Sequence, residues 1–133
     1  MIDFGKVKDF RVLLVGDAIM DEYRYVRVVG KAVKEAALST LFEKQEVFKG
    51  GVWAAALHTL GFCAHVDILT GSSVMWNRRQ VDTVYLRKLI IEHELREDEA
   101  TPQERDIRSY DVVIVTDFGH GTMTKAMIER VTR

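Results

Sequence analysis

Two apolar runs, each closed by an aspartate, constrain this chain more than any other feature. Phe10-Arg11-Val12-Leu13-Leu14-Val15 ends in Gly16-Asp17, and Asp111-Val112-Val113-Ile114-Val115-Thr116 ends in Asp117-Phe118-Gly119-His120-Gly121. A run of consecutive aliphatic residues has no polar face, so a strand built from it must be covered on both sides, as the central strands of parallel sheets are. Between the two runs, Gly50-Gly51 opens the Ala-rich stretch from Val52 to Leu60, and Gly61 closes it; this predicts a helix over 51–60. Residues 63–70 then read as another short buried strand ending at Gly71. Strand, helix and strand at this spacing form an α/β unit, so the expected fold class is α/β with a parallel sheet. Thr122 and Thr124 stand where they can cap a closing helix over 125–131.

Other segments carry a different period. Tyr23-Arg24-Tyr25-Val26-Arg27-Val28-Val29 alternates apolar residues with arginines, the mark of a half-exposed strand, and residues 39–48 are its natural partner in a small side sheet. Residues 72–109 are the least regular. Tyr85-Leu86-Arg87-Lys88-Leu89-Ile90-Ile91 fits a helix with Leu86, Leu89 and Ile90 on one face or a β-rich strand, with strand the preferred reading; the charge-dense stretch 92–108, which contains Pro102, reads as a solvated loop or short helical turn.

Composition narrows the function classes. At 133 residues the chain matches one domain, and it shows neither a Pro- or Gly/Ser-rich linker nor a solenoid repeat. Nineteen Lys and Arg against twenty Asp and Glu leave a net charge of −1, which argues against a nucleic-acid or anionic-membrane partner. No stretch is long and apolar enough for a membrane span. The single Cys63 cannot form an internal disulfide and is expected to pack, in keeping with a reducing, cytoplasmic setting. His58, His65 and His93 lie outside any zinc-ligand spacing, and Trp53 and Trp76 read as packing residues.

Three constellations remain as candidate chemistry. Asp17 and Asp21 lie four residues apart just past a strand end, where a carboxylate can accept hydrogen bonds from vicinal hydroxyls; a loop-and-cap role stands equally beside that reading. Phe48-Lys49-Gly50-Gly51 lets backbone approach a ligand closely, or simply makes a tight turn, and it lacks the Walker pattern. Asp117-Phe118-Gly119 has the letters of the protein-kinase metal motif without the rest of that signature, and His120 between two glycines could donate to a phosphate or stand in a solvated loop.

Taken in order, Arg11 to Asp17 with Asp21, Glu46-Val47-Phe48-Lys49-Gly50-Gly51, Leu60-Gly61, the stretch 82–89 around Tyr85-Leu86-Arg87-Lys88-Leu89, and Tyr110 to Gly121 resemble the PfkB/ribokinase family of carbohydrate kinases. Within it the pattern is most similar to the heptose-phosphate kinases of ADP-heptose synthesis and their cytidyltransferase-linked relatives. The resemblance spans about residues 10–131 and implies a truncated ribokinase-like, Rossmann-type sheet in a single domain, with a small β lid at about 23–48. It implies that Asp17, Asp21, Gly50, Gly51 and Asp117 line a site for a sugar or sugar phosphate. Members of the family use ATP and magnesium. Three departures accompany the likeness: Ala54 replaces the Asn of the family's GGxxN, the stretch from Gly71 to Arg79 is too short for the helix usual there, and residues 1–133 contain no GxGD, the element that supplies the anion hole and catalytic base. The expectation is therefore a substrate-binding half with no catalytic residue, no resident metal and no activity alone. It would either self-associate into a homo-oligomer or pair with a missing C-terminal half; the alternative is a non-catalytic sugar-binding or assembly module.

Overall fold

The computed structural model describes residues 4–132. In chain order the elements are α1 (Phe4–Val7), β1 (Arg11–Gly16), β2 (Ala18–Lys31), β3 (Leu38–Gly51), α2 (Val52–Thr59), β4 (His65–Leu69), β5 (Val74–Asp82), β6 (Lys88–Arg96), a 3₁₀ turn (Ile107–Ser109), β7 (Val112–Thr116) and α3 (Lys125–Val131). They form two sheets. One is wholly parallel with strand order β4-β1-β7; the other has order β3-β2-β5-β6, with β2 and β5 parallel and the outer pairs antiparallel. The α/β class read from the apolar runs is the class observed.

The core follows from the alternation of β1 across its two faces. Val12 and Leu14 point to one side and pack with Val52 and Ala56 of α2 and with the buried Cys63. Leu13 and Val15 point to the other, where Leu69, Met123, Met127 and Val131 meet them. β1 is thus covered by a helix on each face and flanked by a strand on each edge, which explains why its sequence is aliphatic throughout. β4 and β7 read as buried strands in sequence but are edges, and Ile114 and Val115 of β7 are exposed. Periodicity reports how apolar a strand is; whether a neighbour covers it depends on strand order.

The side sheet is larger than the alternation at 23–29 predicts. β2 starts at Ala18, one residue after β1 ends, so Asp17 alone separates strands that belong to different sheets. The irregular middle supplies the other half of that sheet as the β5–β6 hairpin. Strand is the state of residues 88–96, whereas Tyr85 and Leu86 lie in the turn, with Leu86 in the left-handed region at φ 52°. The turn is held by Asp82, whose buried carboxylate accepts the Tyr85 N–H at 2.9 Å and whose own N–H donates to the Arg87 carbonyl at 2.8 Å. The charge-dense stretch is strand to Arg96 and mostly irregular beyond it. Between Gly71 and β5 there is no helix, only Ser72 and Ser73 leading into a strand that runs parallel beside β2. No helix among the described residues is long and apolar enough to cross a membrane.

The junction of β1 and β7 tolerates no side chain. A Cβ on Gly16 would lie 2.1 Å from the Thr116 carbonyl oxygen, inside any contact distance. Gly16→Ala must push β1 from β7 at their last paired residues, and we expect it to lower unfolding free energy by about 3 kcal/mol in urea titration. A variant as stable as wild type would show that the two strands are not joined there.

Candidate functional site

In parallel sheets, ligands gather at the carboxyl ends of the strands, and here that end carries Asp17 after β1, residues 71–73 after β4 and residues 117–122 after β7. Asp17 is buried, at 1% exposure. Its Oδ2 accepts the backbone N–H groups of Phe118 at 2.8 Å and His120 at 3.2 Å, and its Oδ1 accepts that of Thr122 at 3.0 Å. Burial by itself raises the pKa of this carboxyl, but the amides of Thr122, Phe118 and His120 outweigh it and hold the group below the ordinary carboxylate range. This is the loop-holding role, with the carboxylate spent on backbone. Thr122 consequently packs inside the loop, and Thr124 caps α3 by accepting the Met127 N–H at 3.2 Å.

Asp21 is placed differently. It lies on β2 opposite Phe48 of β3 and Asn77 of β5, and Asn77 in turn is opposite His93 of β6. Paired residues share a face, so a polar row crosses three strands. Arg79 donates to Asp21 Oδ1 at 2.6 Å, Asn77 Nδ2 reaches the same oxygen at 3.5 Å, and Asn77 Oδ1 meets His93 Nδ1 at 2.7 Å. The other carboxylate oxygen, Oδ2, faces Gly50, where an added Cβ would lie only 2.6 Å away. Among the described residues no side-chain donor reaches that oxygen, so it remains an acceptor pre-aimed by an arginine that also stacks 5.1 Å from the Tyr23 ring. Tyr23, Tyr25 and Phe48 continue the same face as an aromatic surface, with Tyr23 6.5 Å from Tyr25 and 6.0 Å from Phe48.

The two glycines do unlike things. Gly51 sits at φ 58°, where chain direction turns from β3 straight into α2, and a Cβ there would strike the Asp17 carbonyl oxygen at 2.3 Å. That carbonyl accepts the Val52 N–H at 2.9 Å and so fastens the helix start. Gly50 has ordinary backbone angles and leaves room for the Asp21 carboxylate instead. Asp117 is exposed at the rim, its Oδ1 accepting the Gly119 N–H at 2.9 Å in a local turn.

Sequence reading named Asp21 and Gly50 as candidates but did not join Asn77, Arg79 and His93 to them. Their spacing holds a signal in principle, since Asn77 and Arg79 alternate with Trp76 and Arg78, but only strand pairing says which alternate set faces Asp21. The opposite face of these strands carries Arg78 between Glu22 at 2.8 Å, Glu92 at 3.4 Å and Glu94 at 2.6 Å, so that guanidinium is already engaged by carboxylates of its own sheet.

Asp17→Ala leaves three amides without their acceptor, one buried and two partly buried, and we expect a loss of about 3 kcal/mol in unfolding free energy. Because the folded pKa lies below the unfolded value, the stabilisation from Asp17 is full above about pH 4 and disappears as pH falls through the folded pKa. Chemical denaturation across pH 2–7 should show that acid limb weakened in Asp17→Asn; an unchanged limb would assign it to other carboxylates.

No protein-family model matches the sequence, and no curated protein matches it. Among solved structures, the chain is similar to the crystal structure of a "putative ribokinase" from Agrobacterium tumefaciens at 16% identity and a TM-score of 0.41, the match covering 80% of this chain and 44% of that one.

Proposed function

We propose that this chain is the sugar-binding part of a PfkB/ribokinase-type carbohydrate kinase, acting on a heptose or another sugar or sugar phosphate. The observation that carries the reading is the Asp21 carboxylate: one oxygen is held by Arg79 and Asn77, and the other is open beside Gly50 on a face rich in aromatic rings. A carboxylate oxygen fixed in this way can accept hydrogen bonds from sugar hydroxyls without losing entropy on binding, and aromatic rings supply an apolar wall. Gly50 keeps space beside that oxygen and Gly51 turns the chain into α2, while Asp17 holds the loop that carries Asp117.

Phosphoryl transfer depends on holding nucleotide phosphates and metal against the acceptor hydroxyl. The donor set here does not fit ATP with magnesium: Asp17 is committed to three amides, Asp21 is bridged by Arg79, and residues 1–133 contain no GxGD. In this reading the chain binds sugar and transfers nothing by itself. The second reading, an assembly module, is favoured by one observation: the β7 edge is exposed beside an apolar groove of about 500 Å³ lined by Phe10, Phe62 and Ile114. In either reading the groove is covered by a second copy or by the half that carries nucleotide.

Gly50→Ala separates site from fold. It should weaken sugar or sugar-phosphate binding tenfold or more by calorimetry while unfolding free energy stays within about 1 kcal/mol, because only the tip of Asp21 must move. Sugar affinity equal to wild type would sink the assignment of Asp21. Light scattering tests assembly: a discrete dimer supports the covered edge, and a monodisperse monomer at high concentration counts against it.

A further inference from the structure

A second cleft, of about 280 Å³, opens at the same end of the parallel sheet. Its walls are the loops after β4 and β7, which become neighbours because those strands flank β1 on either side. Gly71 donates its N–H to the Thr122 hydroxyl at 3.4 Å and closes the floor. Asp17 draws the amides of Phe118, His120 and Thr122 inward, so the intervening Gly121 N–H is left out of that set. Gly121 and Ser73 form no hydrogen bond with the described residues, and neither do the Ser72 hydroxyl and the His120 ring. The residues that line this cleft thus bring two hydroxyls, two amides and an imidazole that the described residues leave unpaired, and no carboxylate is among them. Hydrogen-bond donors in excess of acceptors select a ligand made of acceptors, and an oxyanion is the smallest such group.

The cleft also borders the Asp21 row. Leu95 lines it and pairs with Met75, two residues along each strand from the His93–Asn77 pair, a step of about 7 Å. We propose that this cleft is an oxyanion subsite that takes the phosphate group of a phosphorylated sugar whose hydroxyls are read at Asp21. The proposal rests on the sugar-binding reading but on different residues, Ser72, Ser73, His120 and Gly121.

Amide-resolved NMR of the full chain tests it, with inorganic phosphate, a neutral hexose, the matching hexose phosphate and ATP as probes. Inorganic phosphate and hexose phosphate should shift the Ser73 and Gly121 amides, whereas the neutral hexose shifts β2 and β3 around Asp21. The double variant Ser72→Ala/Ser73→Ala removes hydroxyls that hold nothing in the fold, and it should lower the preference for hexose phosphate over hexose tenfold or more. Unshifted Ser73 and Gly121 amides, a double variant with wild-type preference, or tighter occupation by ATP than by hexose phosphate would each overturn the proposal. Phosphate titrating those amides while neutral hexose binds nowhere would support the oxyanion subsite and overturn the Asp21 reading instead.

Discussion

The architecture depends on one buried carboxylate. Asp17 is the only residue between a strand of the parallel sheet and a strand of the side sheet, so whatever fixes it fixes how the two sheets leave one another. Three backbone amides from the loop after β7 do so, at 2.8, 3.2 and 3.0 Å. Its own carbonyl receives the first N–H of α2 at 2.9 Å. A charge taken out of water must be met by donors or it neutralises, and here alternate amides of a single loop meet it. One side chain therefore ties together β1, β7 and, through its backbone, the helix that covers the core.

Asp17 and Asp21, four residues apart, show how environment divides identical groups. At Asp17 every oxygen faces backbone and the residue is 1% exposed; the carboxylate stabilises and has little left to offer a ligand. At Asp21 the side chain is 25% exposed, an arginine holds one oxygen, and a glycine keeps space beside the other. The first is a joint, and the second keeps one oxygen open as an acceptor. The polar row is built on strands, whose ladder sets Asp21, Asn77 and His93 side by side more rigidly than a loop could.

Much of the fold was legible from local pattern. The β1 run, the helix after Gly50-Gly51, the alternating strand at 23–29 with its partner, and the Thr124 cap all follow from short-range chemistry, and each is present in the fold. The β5–β6 hairpin was less legible because its turn is made by Asp82 and a left-handed Leu86 in place of the usual Gly or Asn. β4 and β7 carried the apolar signature of buried strands yet stand at edges, since the sequence of a strand does not name its neighbours.

The sequence by itself determined which segments could be strands or helices, that a parallel sheet must exist, and that carboxylates and glycines cluster at its carboxyl end. Tertiary structure decided which aspartate is free. Hydrogen-bond satisfaction is a property of what lies within about 3 Å, and the amides that occupy Asp17 come from more than a hundred residues away in the chain. The partners that orient Asp21 likewise arrive from β5, by a register that only strand pairing establishes.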